Sequence, residues 1–147
     1  MLQQRELAPL AASLRDRGYA CEVETNGTLA PQPDMADAIA QWNVSPKLTN
    51  SGNDHARREV ASSLNAFAAL DSVYFKFVIV EPEDVDEVSL LAGSYQLEPA
   101  KVILMPEGVT AEVLNERGAW LAEVCRDKGY RFSTRLHIQL WGDERGR

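Results

Sequence analysis

Apolar positions along the chain switch repeatedly between helical spacing and strand-like runs, and each switch marks an element. Leu7, Leu10, Ala11 and Leu14 share one face of a helix predicted from Leu2 to Arg17, which Gly18 stops by tolerating the left-handed conformation. Ala20–Glu24 reads as a short strand, broken by the turn residues Thr25-Asn26-Gly27-Thr28. Pro31, Pro33 and Asp34 mark a loop with about one helical turn up to Ile39, and Trp42–Ser45 is a second short strand that Pro46 ends. Asn50–Asp54 is rich in turn formers and reads as a mobile loop. Arg57–Leu70 follows as a helix with Val60, Leu64, Phe67 and Ala68 on one face.

Val73–Val80 is the clearest strand, because its aromatic and β-branched residues suit a buried place in a sheet. Pro82 opens a helix with acidic residues in its first turn, running to about Ser94. Lys101–Met105 is a strand closed by Pro106. Thr110 opens a helix, with Glu112 in its first turn, that reaches Lys128 and ends at Gly129, with Gly118 inside it at a cost of about 1 kcal/mol relative to Ala. Arg135–Leu140 alternates, with Leu136, Ile138 and Leu140 on one face and Arg135, His137, Gln139 and Trp141 on the other, and reads as the last strand. Helix and strand in strict turn predict an α/β domain spanning residues 1–147 with a mainly parallel sheet.

The composition fits that fold: 45% hydrophobic and 25% charged over 147 residues. Disorder and collagen-like repeats are excluded. At this length a folded chain buries roughly two-thirds of its unfolded surface. Lys and Arg number 15 against 22 Asp and Glu, a net charge of −7. That balance argues against nucleic acid and against an anionic membrane surface as partners, since both need clustered cations. No apolar run approaches the ~20 residues of a membrane span, and the first residues lack a signal-peptide pattern, so the cytoplasm is the expected compartment. The two cysteines, Cys21 and Cys125, form no CxxC spacing. They read as reduced, mostly buried thiols rather than a disulfide framework or a self-contained zinc or iron–sulfur site.

The chemically unusual residues follow strand ends, where parallel α/β folds build their sites. Glu24-Thr25-Asn26-Gly27-Thr28 puts a carboxylate, a hydroxyl and an amide on one turn, with Gly27 allowing close backbone approach to a ligand. The alternative is an Asn-Gly turn beside a solvated Glu. Ser45-Pro46-Lys47 sets a hydroxyl and an ammonium beyond the second strand; Lys47 is a partner for a ligand carboxylate or an exposed loop lysine. Met105-Pro106-Glu107-Gly108 offers a soft side chain and main-chain groups against which an adenine could stack, or is a plain connection to the next helix. His137 and Gln139 share their face with Arg135 and Trp141, a set suited to a planar polar ligand, although a lone His is more often structural. Lys76 lies mid-strand and needs Glu24, an acidic ligand or water if buried; otherwise it is a rim lysine. No Walker loop, GxSxG, HExxH or GxGxxG occurs.

Taken in order, Val23-Glu24-Thr25-Asn26-Gly27-Thr28, Val44-Ser45-Pro46-Lys47, Tyr74-Phe75-Lys76-Phe77-Val78-Ile79, Leu104-Met105-Pro106-Glu107-Gly108 and Arg135-Leu136-His137-Ile138-Gln139-Leu140-Trp141-Gly142 resemble the 7-carboxy-7-deazaguanine synthases over essentially the whole chain. These are radical S-adenosylmethionine enzymes of the queuosine and deazapurine pathway. The resemblance implies a partial (β/α) barrel, usually dimeric, that converts 6-carboxytetrahydropterin to 7-carboxy-7-deazaguanine with a [4Fe–4S] cluster and Mg²⁺. By the same resemblance Glu24, Thr25 and Asn26 lie near cofactor and substrate. Ser45, Pro46 and Lys47 hold the polar end of S-adenosylmethionine, Met105 to Gly108 lie against its adenosine, and the tail carrying His137 and Gln139 approaches the pterin.

The sequence departs from that pattern in one respect. The family's CxxxCxxC loop, the Mg²⁺-binding Thr beside it and the Gly-Gly-Glu-Pro segment are missing from these 147 residues. The resemblance therefore implies the C-terminal part of such an enzyme, lacking its first two strands and, alone, inactive. The edge of the strand Ala20–Glu24 is then expected to be bare and open to self-pairing or a companion fragment. A non-catalytic protein binding S-adenosylmethionine or pterin, and a truncated remnant, are the competing expectations.

Overall fold

The computed structural model describes residues 3–144. Leu2, read as the start of the first helix, lies outside the described residues. The order is α1 (Gln4–Asp16), β1 (Glu22–Thr25), α2 (Pro33–Ala38), β2 (Gln41–Val44), α3 (His55–Arg58), α4 (Ala61–Ala68), β3 (Val73–Ile79), α5 (Pro82–Ser94), β4 (Val102–Pro106), α6 (Ala111–Lys128), β5 (Arg131–Phe132) and α7 (Leu136–Trp141), with single 3-10 turns at Thr49–Ser51 and Pro99–Lys101. The five strands form one all-parallel sheet in sequence order. The sheet is not closed: β1 and β5 are its two edges. The expected α/β architecture with a parallel, barrel-like but incomplete sheet is what the chain forms.

Sequential order with crossovers of one hand places the connecting helices on one face of the sheet, and the burial alternation follows. Val73, Phe75, Phe77 and Ile79 are buried at 0–2% exposure beneath the helices, whereas Tyr74, Lys76 and Val78 on the other face are half-buried. Val102 and Leu104 on β4 and Trp42 and Val44 on β2 join the buried side. Trp42 meets Phe67 of α4 edge to face, with ring centroids 5.3 Å apart, a favourable aromatic geometry. The opposite, uncovered face is polar. Glu22 accepts from Gln41 and Asn43 at 3.4 and 3.2 Å, and the Arg131 guanidinium lies 4.7 Å from the centre of the Tyr74 ring.

Helix ends match their local chemistry. The Thr110 hydroxyl accepts from the Val113 amide at the start of α6, and Glu112's own backbone amide, followed by a bond with the Thr110 side chain, lowers the Glu112 carboxyl below its ordinary value. At α5, Pro82 takes the first turn, and Glu81 and Asp84 cap each other's backbone reciprocally.

Three expectations are corrected. The predicted helix Arg57–Leu70 is two helices, α3 and α4, because Glu59 and Val60 are extended. Tertiary bonds override the helical spacing there: Arg58 is drawn inward to Glu87, and the Glu59 carboxylate accepts from the Tyr95 hydroxyl at 2.6 Å. In α1 the buried face is Gln4, Ala8 and Ala11, and Leu10 is 55% exposed; the buried Gln4 side chain bonds Ala30 O and Gln32 N, which fixes the helix's rotation.

The third correction is the last strand. Arg135–Leu140 is not a strand: Leu136–Trp141 forms α7, and β5 is Arg131–Phe132 instead. Pairing positions on β4 are already taken by residues 131–133, since Ser133 N donates to Leu104 O at 3.0 Å, and the chain then leaves the sheet. In the helix, Ile138 is buried at 3% while Leu136 and Leu140 are 59% and 57% exposed, so the six-residue alternation carried no strand information.

Gly118 faces Phe132, whose ring carbon would sit 3.4 Å from an added Cβ, an ordinary contact. Gly118→Ala is therefore expected to raise stability by about 0.5–1 kcal/mol through helix propensity. A urea unfolding curve checks this; a lower midpoint would mean the methyl strains the α6–β5 contact.

Candidate ligand cleft at the carboxyl edge of the sheet

The strands end in three turns that the ladder holds in place. Ser45 N donates to Thr25 O at 2.7 Å and Glu107 N to Ile79 O at 2.8 Å, so both residues continue the sheet one step past the strands. Above this edge lie two adjoining cavities of about 380 and 300 Å³. The first is lined by Glu24, Thr25, Asn26, Ser45, Lys47, Lys76 and Met105 among others. The second is lined by Pro46, Lys47, Asn50, Ser51, Asn53 and Glu107 among others. Lys47, Val78 and Arg135 border both, so the two form one cleft across the middle of the sheet.

Burial alternates through each turn and aims the polar groups. Pro46 and Leu48 are buried anchors and Lys47 between them is exposed. Pro106 and Gly108 are likewise buried, with Met105 and Glu107 half-exposed toward the cleft. Pro106 and Gly108 do not line either cavity. A Cβ on Gly108 would come within 3.0 Å of Leu114 and Val113, so this glycine permits α6 to pack close. Gly27 also serves packing rather than a ligand. It is buried, its φ is +78°, and a Cβ there would lie 2.7 Å from Val44. The Asn26 carbonyl oxygen closes the turn by accepting from the Thr28 amide and hydroxyl, which leaves its amide group for the cleft.

The first part of the loop after Lys47, through Asn50, is tied to the fold by side-chain bonds. Arg58, 8% exposed, donates to Lys47 O at 3.1 Å, to the Thr49 hydroxyl at 2.9 Å and to Glu87 Oε1 at 2.5 Å. Glu87 also takes the Thr49 amide at 2.9 Å. Asn50 donates to Val78 O and to Asp84, and the same Asp84 oxygen accepts the Val80 and Glu81 amides. Asp84 thus joins the β2 loop to the end of β3.

Two carboxylates of the cleft already have partners. Glu24 meets Lys76 Nζ at 3.4 Å, the pairing that the mid-strand lysine called for. Glu107 is held by Arg117 Nη1 at 2.7 Å. His137 and Gln139 sit on α7 outside both linings; Gln139 donates to Asn115 of α6 at 3.3 Å. Arg135, just before that helix, reaches the cleft instead. Sequence alternation grouped it with His137, Gln139 and Trp141 on one strand face; of these four only Arg135 lines the cavities. Asn50, Ser51 and Asn53 were hidden by a loop composition that gave no sign of Asp84 waiting across the fold.

The residues present do not fit an iron–sulfur cluster in this cleft. Cys21 precedes β1, and Cys125 near the end of α6 donates to Arg131 O at 3.4 Å, so both lie at the amino edge of the sheet, opposite the cleft. Among the described residues no three His, Cys, Asp or Glu side chains gather into a metal-holding group. No helix among them is long and apolar enough to cross a membrane.

The chain is an α/β protein with an open parallel sheet and a polar cleft at its carboxyl edge, the place where such sheets generally bind ligands. Comparison with known proteins narrows that class. The chain is 36% identical to a 7-carboxy-7-deazaguanine synthase of Pyrobaculum aerophilum over 99% of its own length and 62% of that protein. It is 33% identical to a protein of the same name from Halobacterium salinarum over 86% of its length, and 27% identical to one from Rhodopirellula baltica over 95%. The chain is thus a homologue of the 7-carboxy-7-deazaguanine synthases, and it spans 56–62% of the length of these curated relatives. No family profile matches it.

Burial pushes the Cys125 thiol up to about 11. Below that pH it stays protonated and unreactive in the folded protein. Iodoacetamide at pH 8 is therefore expected to label the half-buried Cys21 and spare Cys125 until denaturant is added. Equal labelling of both in the native state would show that the α6 face is open.

Proposed function

We propose that this chain forms the ligand-holding part of a 7-carboxy-7-deazaguanine synthase, with S-adenosylmethionine and the carboxylated pterin bound at the carboxyl edge of the sheet. The observation that carries this reading is the convergence of Glu24, Asn26, Ser45, Lys47 and Met105 on one cavity in a chain homologous to such synthases along 99% of its length. Ser45 and Lys47 present a hydroxyl and an ammonium to the amino-acid end of S-adenosylmethionine. Met105 and the pinned β2 loop flank its adenosine. Glu24 and the Asn26 amide offer an acceptor and a donor to a pterin, and Glu24 keeps its orientation through Lys76.

The family's chemistry is the contraction of 6-carboxytetrahydropterin, for which S-adenosylmethionine supplies a radical when a [4Fe–4S] cluster reduces it. Both cysteines of this chain are at the far edge of the sheet, so any cluster would be held by residues outside these 147, as would the Mg²⁺ that the resemblance implies. That placement favours a second statement: this polypeptide by itself binds without turning over. Self-association through the bare β1 edge and a cytoplasmic setting accompany the proposal.

Calorimetry of the chain with S-adenosylmethionine tests it. Saturable binding is expected, weakened about tenfold in Lys47→Gln, the loss of one charge-assisted contact. Supplied with iron, sulfide, reductant and both substrates, the chain alone should release no 5′-deoxyadenosine. Absence of binding would sink the ligand assignment, and 5′-deoxyadenosine would sink the statement that the chain is inactive alone.

A further inference from the structure

Of the 13 Lys and Arg side chains among the described residues, seven are neutralised in place. Arg15, Arg57, Arg58, Lys76, Lys101, Arg117 and Arg126 each lie within 4.0 Å of a carboxylate. Of the other six, Lys47 and Arg135 stand at the cleft. Both border the two cavities, and among the described residues neither has a carboxylate partner. Among the described residues the Arg135 side chain makes one hydrogen bond, a long 3.5 Å one from Nη1 to Gly108 O in the turn after β4. A guanidinium carries five donors, so the remaining ones face the cleft or solvent.

Two like charges bordering one half-enclosed space repel each other, and a bound anion offsets that cost. The nearest acidic groups cannot serve: Glu24 is engaged by Lys76 and Glu107 by Arg117. The planar fork of Arg matches a carboxylate in two-point geometry, while Lys adds a point charge. Both residues border both cavities, so an anion bound in the cleft lies within the field of both charges.

We propose that Lys47 and Arg135 together receive a carboxylate of the bound ligand, and that Arg135 is a specificity-determining residue that discriminates carboxylated from uncarboxylated ligands. This rests on the reading of the cleft as a nucleoside and pterin site, both of whose ligands carry one carboxylate. Most of the selectivity for that group comes from Arg135, with its carbonyl tether to Gly108 setting the direction of the fork.

The test titrates the purified 147-residue chain with two matched pairs: S-adenosylmethionine against its decarboxylated form, and 6-carboxypterin against pterin. The wild type should prefer the carboxylated member of at least one pair by roughly tenfold or more, the effect of a charge-assisted bond. Arg135→Gln should cut that preference several-fold, with Lys47 keeping the remainder, and leave the affinity for the uncarboxylated member unchanged, while Arg135→Lys loses less of it. The pair that responds identifies the source of the carboxylate. An unchanged unfolding midpoint for Arg135→Gln shows that the fold is intact. An undiminished preference in Arg135→Gln, or equal weakening of both members, overturns the proposal. Binding without any carboxylate preference overturns it alone, whereas failure of every ligand to bind overturns the proposed function and this inference together.

Discussion

Arg58 lies beneath the loop that follows β2, and its guanidinium bonds the Lys47 carbonyl, the Thr49 hydroxyl and Glu87 at once. Few single side chains in the fold connect so much. α3 supplies the cation, α5 the carboxylate, and the loop between them carries the residues that face the cleft. Removing one partner of a buried pair typically costs about 3–5 kcal/mol, because the other charge is stranded. Arg58 therefore acts on the cleft without lining it. Asp84 does the same from the other side, gathering the Val80 and Glu81 amides and Asn50 on one oxygen.

These two anchors matter because the sheet is covered on one face only. The apolar residues of β3 and β4 pack beneath the helices, and this leaves polar side chains on the other face and a polar rim at the carboxyl edge. A rim of turns alone would be soft. Here each turn alternates a buried anchor with an exposed functional group: Pro46 and Leu48 around Lys47, Pro106 and Gly108 around Glu107. The cleft is thus a consequence of strand register carried one residue past the strand ends, with the β2 loop locked from behind.

Most of the fold was legible in the sequence because its signals were local. Proline and glycine bounded α5 and α6, β-branched runs marked β3 and β4, and strict alternation of helix and strand gave a parallel sheet. The turns after β1, β2 and β4 stood out for the same reason, unusual residues at strand ends, and the fold brings them to one cleft. What failed was decided by distant contacts. The break between α3 and α4 depends on Glu87 and Tyr95, neither of which is near in sequence. The rotation of α1 depends on Gln4 reaching Ala30 and Gln32. The Arg135–Leu140 stretch is short enough to fit either period, and occupancy of β4 by residues 131–133 settled it as α7. That exchange moved His137 and Gln139 out of the cleft and brought Arg135 in.

Amide hydrogen exchange at Thr49 measures the anchoring most directly, since that amide's partner is Glu87 and nothing else. The account predicts that Thr49 exchanges far below the free-peptide rate in the wild type. In Arg58→Ala it should exchange freely while the amides of Phe75 and Phe77 in β3 stay protected. Free exchange at Thr49 in the wild type, or protection that survives in Arg58→Ala, would contradict the claim that this buried pair builds the cleft.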